Sequence, residues 1–181
     1  VVPVLFSSFC TQSFTYTKNT SSQASHLNFK AFEVIAIAGY RPYKLTDIGG
    51  KFICAWTQEI HSHVELIIDT DLDFSKPKKS YSSSIRDKGV RSKEILFKAE
   101  HWDIHELKAD EDYALGVFKG WEGAPYGWSD LFMQHVLRLP LRNNAIICSE
   151  LVLLMLGVDE SIANSLNPGQ AMKYALTNFE D

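Results

Sequence analysis

An apolar run leading into a cysteine constrains this chain more than any other feature: Ile146-Ile147-Cys148-Ser149-Glu150-Leu151-Val152. Cys148, Leu151, Val152 and Met155 follow i, i+3, i+4, i+7 spacing, which is one face of a helix. The thiol therefore opens a helix that runs to Met155 or Leu156, with Gly157 as its stop. A helix start presents unpaired backbone N–H groups at the positive end of the dipole. Those groups favour negative charge on a thiol and can hold an oxyanion. A nucleophilic cysteine needs a base, and Ser62-His63-Val64-Glu65-Leu66 is the best supplier.

The rest of the chain sets limits. With 181 residues it has the length of one domain with a real core. A net charge of -4 gives no reason to expect a nucleic-acid partner. No apolar run is long enough to span a membrane. Three cysteines are too few, and odd in number, for a disulfide framework. They suit a reducing compartment, or a secreted enzyme with a free catalytic thiol. Val1 to Phe6 is apolar but lacks a basic region before it, so no signal peptide is expected and a cytoplasmic location is favoured. Residues 1–29 read as a Ser/Thr-rich extension carrying Cys10 and His26 as surface residues, and residues 30–181 as one catalytic domain.

Along that domain, Ala31 to Ala38 reads as a buried strand bounded by Gly39. Thr46 or Asp47 caps a helix to about Gln58, with Ile48, Phe52, Ile53 and Trp56 on its apolar side and Cys54 as a small buried hydrophobe. Val64 to Asp69 is a β-branched strand. Basic residues dominate from Lys76 to Lys98, most simply as a solvated rim. Tyr81 to Ile85 and Glu94 to Phe97 read as short strands around the turn Asp87-Lys88-Gly89, and His101 to His105 as another strand. Asp110-Glu111-Asp112 starts a helix to about Lys119, stopped by Gly120. Gly123 to Gly127 is a tight loop, and Ser129 caps a helix that Pro140 ends. Asn167-Pro168-Gly169 is a turn before a terminal helix.

Taken together, Ser62-His63-Val64-Glu65-Leu66, Tyr126-Gly127-Trp128 and Cys148-Ser149-Glu150-Leu151-Val152 resemble the circularly permuted papain-like amidases of the YiiX/YaeF type. Those are relatives of the NlpC-type cell-wall peptidases and of lecithin retinol acyltransferase. The similarity runs from about Phe32 to Tyr174, and the histidine preceding the cysteine is the permuted order. The resemblance implies an α+β papain-like fold, an antiparallel sheet packed against helices. It also implies Cys148 as nucleophile on a helix, His63 as base on a strand, and Tyr126 as an aid to the oxyanion hole or to substrate orientation. A third polar group orients the histidine. Glu65 is the choice, because i and i+2 share one face of a strand, with Glu94 and His101 behind it. A glutamate among aliphatics is also costly unless paired, and His63 as imidazolium is a suitable partner.

The implied activity is a cysteine-dependent hydrolase that cleaves an amide, such as a peptidoglycan peptide bond, or an ester, with no cofactor. Two alternatives use the same fold: a lipid acyltransferase or phospholipase-like enzyme, and a non-catalytic binding domain. Metal binding through His61, His63, His101 and His105 is the competing chemistry, although neither a CxxC nor an HExxH pattern is present. The partner is a small-molecule, peptide or lipid substrate. Glu150 is a favourable charge in a first helical turn, His135 a helix-face residue, and Trp121 and Trp128 core or cleft wall.

Overall fold

In the computed structural model, residues 34–127 and 145–180 are described, all within the unit Ala31–Asp181. Cys10, His26, Trp128, Ser129 and the helix expected after it, with His135, lie outside the described residues.

Five antiparallel strands form one sheet in the order β4-β3-β2-β1-β5: β1 Val34–Tyr40, β2 His63–Asp69, β3 Lys78–Ser84, β4 Gly89–Ile95 and β5 Trp102–Leu107. The helices are α1 Ile48–Thr57, α2 Glu111–Trp121, α3 Cys148–Met155, α4 Glu160–Ala163 and α5 Pro168–Phe179. None of them is long and apolar enough to cross a membrane.

Strand alternation sorts the two faces of the sheet. Ile35 and Ile37 of β1, with Val64, Leu66 and Ile68 of β2, enter the main core beneath α2, α3 and α5. Ala36, Ala38 and Ile67 point the other way, into a second, smaller core with Phe97, Trp102 and Ile104. Both faces of the central strands are covered, which is why their sequences read as unbroken apolar runs. His63 and Glu65 share the parity of Ile67, so they lie on the second face.

Several local expectations shift. β1 does not stop at Gly39 but continues through it to Tyr40. The glycine answers a different demand, since a Cβ there would stand 2.6 Å from the His61 ring. β4 begins at Gly89, earlier than the apolar Ile95-Leu96-Phe97 suggested, because Lys88 takes φ 65° and closes a hairpin that pairs Ser84 with Gly89. A Cβ on Gly89 would fall 2.1 Å from the Ala124 carbonyl oxygen, so that contact requires glycine. α2 runs on through Gly120 to Trp121, and its start is capped by Asp110, which accepts from the Tyr113 N–H. α5 begins with a capping box between Asn167 and Gln170.

α1 departs most from a core helix. Asp47 precedes it and Gln58 ends it in the left-handed conformation, yet none of its residues is buried. Ile48 is 74% exposed and Phe52 60% exposed. Cys54, expected in the core, is only half-buried, and its thiol donates to the Ile60 carbonyl at 3.3 Å. Burial, helped by Asp47 and Glu59, pushes that thiol's pKa up.

Candidate active site

The cysteine is placed by the chain on either side of the undescribed segment. Ile146 bridges Tyr126 in parallel: its N–H donates to Pro125 at 3.1 Å, and its carbonyl accepts from the Gly127 N–H at 3.3 Å. The Ser83 hydroxyl donates to the same carbonyl at 2.7 Å. Strand β3 thereby fixes the residue two before Cys148. Ile147 then stays extended (φ -93°, ψ 167°) and supplies no side-chain cap, so no side chain of the preceding residue covers the first N–H groups of α3. Cys148 sits at that first position, 2% exposed, with Leu151, Val152 and Met155 running into the main core.

His63 opens β2. The register of β2 against β3 is confined to Leu66 with Tyr81 and Ile67 with Ser80, whereas β1 and β2 pair along their whole length. At the His63 end the Ser82 hydroxyl instead donates to the Val64 carbonyl at 2.7 Å.

The His63 ring has two side-chain partners, Cys148 and Glu65. Its Nε2 lies 2.8 Å from Glu65 Oε1, which leaves Nδ1 for the sulfur. Glu65 is 1% exposed and is gripped from the other side by Arg91, whose guanidinium donates to Oε2 at 2.7 Å and to Oε1 at 2.5 Å. Arg91 Nε donates in turn to Asp87 at 2.9 Å, and Lys93 donates to Asp87 at 3.1 Å. A continuous line runs Asp87–Arg91–Glu65–His63–Cys148.

The electrostatics follow from that line. Burial opposes ionisation of Glu65, but the hydrogen bonds and charges of Arg91 and His63 outweigh it and hold the carboxyl at about 2. Burial likewise opposes a charged His63, but the Cys148 sulfur and the Glu65 carboxylate outweigh it and raise the imidazole to about 10. Burial raises the pKa of the Tyr126 hydroxyl, and negative charge at Cys148 raises it further. Tyr126 and Cys148 are therefore within electrostatic reach of each other.

The other sequence-level candidates lie elsewhere. Glu94 is exposed on β4, and His101 stacks on Tyr43 with ring centroids 3.2 Å apart, so neither takes the Nε2 position held by Glu65. His61 bonds Asp103 at 2.8 Å and His105 bonds Glu180 at 2.8 Å. The four histidines of the metal reading thus have separate partners, and the described residues contain no cluster of three metal-ligating side chains. Glu150 lies in the first turn of α3, and Trp121 packs at the edge of the main core.

Three residues near the site were not singled out by sequence. Arg91 was counted in the basic rim. The signal for it was the need of a buried glutamate for a cation, combined with the hairpin that returns β4 beside β3. Trp102 stands edge-on to His63, ring centroids 6.5 Å apart. Ser83 carried no signal, because its role depends on a partner far along the chain.

A cavity of about 730 Å³ opens on this site, between α1 and the second face of the sheet. Phe52, Ile53 and Trp56 of α1 line it together with His63, Glu65, Trp102 and Tyr126. No family model, curated protein or solved structure matches this chain.

Proposed function

We propose that this chain is a cysteine-dependent hydrolase that cleaves an amide or ester through a thioester intermediate, on a permuted papain-like fold. The observation that carries the reading is the His63 ring, partnered on one side by the Cys148 thiol at a helix start and on the other by a buried, Arg-held glutamate. The antiparallel sheet, with a histidine on a strand ahead of a cysteine on a helix, agrees with the permuted order.

In this mechanism the Cys148 proton rests on His63, and Glu65 steadies the imidazolium through Nε2. The sulfur attacks the substrate carbonyl. Negative charge on the carbonyl oxygen is met by the N–H groups at the start of α3, with the Tyr126 hydroxyl beside them. His63 delivers its proton to the leaving amine or alcohol, and the thioester remains. Water then gives one proton to His63 while its oxygen attacks the thioester, releasing the carboxylic acid and restoring the Cys148 thiolate beside the His63 imidazolium. Arg91 keeps Glu65 ionised throughout, so the proton shuttles between His63 and the reacting atoms rather than to the carboxylate. Peptidoglycan stem-peptide amides belong in the first substrate panel.

The test is covalent capture. A short activated ester should leave an acyl group on Cys148 in the wild type, seen by mass spectrometry, and none in Cys148→Ala. His63→Ala should slow the capture by about a hundredfold or more. Labelling that ignores His63→Ala, or activity intact in Cys148→Ala, would overturn the reading in favour of a binding domain.

A further inference from the structure

We infer that α1 and the β3–β4 hairpin beside it form a docking face for an anionic bilayer surface. The inference goes beyond the cysteine chemistry: it needs neither His63 nor Cys148 and says nothing of the bond cleaved.

Exposed apolar surface is the first argument. Ile48 and Phe52 stand one helical turn apart on α1, both well exposed. Trp56, one turn further, meets Phe52 edge-on with ring centroids 5.4 Å apart. Leu45, in the turn before α1, is 89% exposed. Ile85, just after β3, and Leu96, just after β4, are also exposed and line one cavity with Phe52 and Trp56. Single exposed aliphatics are ordinary, but a helix in a folded domain normally turns its apolar stripe to the core. A row left outside marks a surface that meets something apolar.

Charge is the second argument. The chain carries a net charge of -4, yet this face is short of exposed acid. From Tyr43 to Gln58 the charged residues are Lys44, Asp47 and Lys51 alone. The Asp47 side chain is withdrawn: it accepts from the Tyr40 hydroxyl at 2.8 Å and lies 3.6 Å from the exposed Arg86 guanidinium. On the hairpin, Asp87 is held by Arg91 and Lys93, and the exposed Glu94 stands opposite Lys79 in the β3–β4 register. Lys44, Arg86 and Lys88 stand exposed around the apolar row.

The combination selects the occupant. Apolar and aromatic side chains flanked by Lys and Arg are what a helix lying in a bilayer interface presents. Lysine is depleted from protein–protein interfaces. A second copy related by a two-fold axis would set the same cations against one another. Anionic headgroups answer Lys44 and Arg86, while the layer beneath them takes Ile48 and Phe52.

The experiment is flotation of the full chain with vesicles, either phosphatidylcholine alone or phosphatidylcholine with about a third phosphatidylglycerol. The chain should float with the anionic vesicles, bind the neutral ones about tenfold or more weakly, and be released as salt is raised. Ile48→Ser and Phe52→Ser should each weaken binding to anionic vesicles by about tenfold or more. Lys44→Gln and Arg86→Gln should each weaken it by about fivefold and leave binding to neutral vesicles alone. Ile162→Ser, exposed on α4 away from this face, should change neither. Circular dichroism confirms that each variant is folded. Failure to float with anionic vesicles, equal binding to both compositions, or insensitivity to both apolar substitutions would overturn the inference. A dimer in sedimentation that Phe52→Ser dissociates, with no vesicle binding, would assign the face to a second copy instead. Acylation of Cys148 by a short activated ester in free solution tests the dyad separately, so either reading can fall without the other.

Discussion

Arg91 holds Glu65 by two parallel hydrogen bonds, at 2.7 and 2.5 Å, and so turns a glutamate that is 1% exposed into a fixed anion beneath the imidazole. Arg91→Ala leaves that carboxylate buried without its cation. The expected cost is about 3–5 kcal/mol of stability, measured by urea denaturation. Arg91→Lys keeps a charge but loses the fork and should recover only part of it. Because the arginine acts through Glu65, both variants should also shift the pH profile of Cys148 acylation. A purely structural arginine would change the denaturation midpoint and leave that profile alone.

Stability should be bounded at both pH extremes. Glu65 sits at about 2, below its ordinary 4.5. Its contribution is complete above about 4.5 and is lost as pH falls toward 2, with a size on the order of 3 kcal/mol. His63 sits at about 10, above its ordinary 6.5. Its contribution is complete below about 6.5 and is lost as pH rises toward 10. Unfolding midpoints across pH should therefore fall on either side of a plateau, and Glu65→Gln should flatten the acid limb.

Thiol reactivity should separate the two described cysteines. At mildly acidic pH a small haloacetamide should alkylate Cys148 faster than Cys54, whose thiol is pushed up by burial and by two nearby acids. His63→Ala should remove the difference. Equal rates in both backgrounds would mark Cys148 as an inert core residue.

If Cys148 and His63 form the proposed dyad they act as a unit, so Cys148→Ala, His63→Ala and the double variant should lose nearly the same fraction of the rate. Cys148→Ala should cost only about 1 kcal/mol of stability. Additive losses in the double variant would argue against a shared proton.

Ser83→Ala removes the hydroxyl that holds the Ile146 carbonyl. The expected loss is about 1–3 kcal/mol for a buried acceptor left with fewer donors. Acylation should slow as well, because that carbonyl lies two residues before the nucleophile. Normal acylation at lowered stability would confine Ser83 to a structural role.

What could be read from the sequence was what local chemistry dictates. The α3 helix, its opening cysteine and its Gly157 stop follow from spacing, and Gly157 indeed takes φ 81°. The mixture of strands and helices was likewise legible from periodicity and turn residues, whereas the antiparallel arrangement of the strands entered only as what the resemblance implies. The hairpin start at Gly89 was not, because a polar strand such as Arg91 to Glu94 owes its pairing to β3 rather than to its own composition. Nor was the exposed stripe of α1, since a sequence shows which face is apolar but not whether anything fills the space before it. The Arg91 fork was hidden for a related reason. Glu65 announced a need for a cation, and eight basic residues from Lys76 to Lys98 competed to meet it.

The β1 strand lies between β2 and β5, and α3 docks on β2 and β3 only after most of the chain has been made. Contacts between segments so distant form late, after the loop-closure entropy of the intervening chain has been overcome. Until then the sulfur lacks both its imidazole and its helix start, and behaves as an ordinary thiol. On the proposed mechanism, arming of Cys148 is then a final event of folding, and a nascent or misfolded copy holds no armed thiol with which to attack its surroundings. Pulse alkylation during refolding should show fast Cys148 labelling appearing together with the last unit of hydrogen-exchange protection, and not before it.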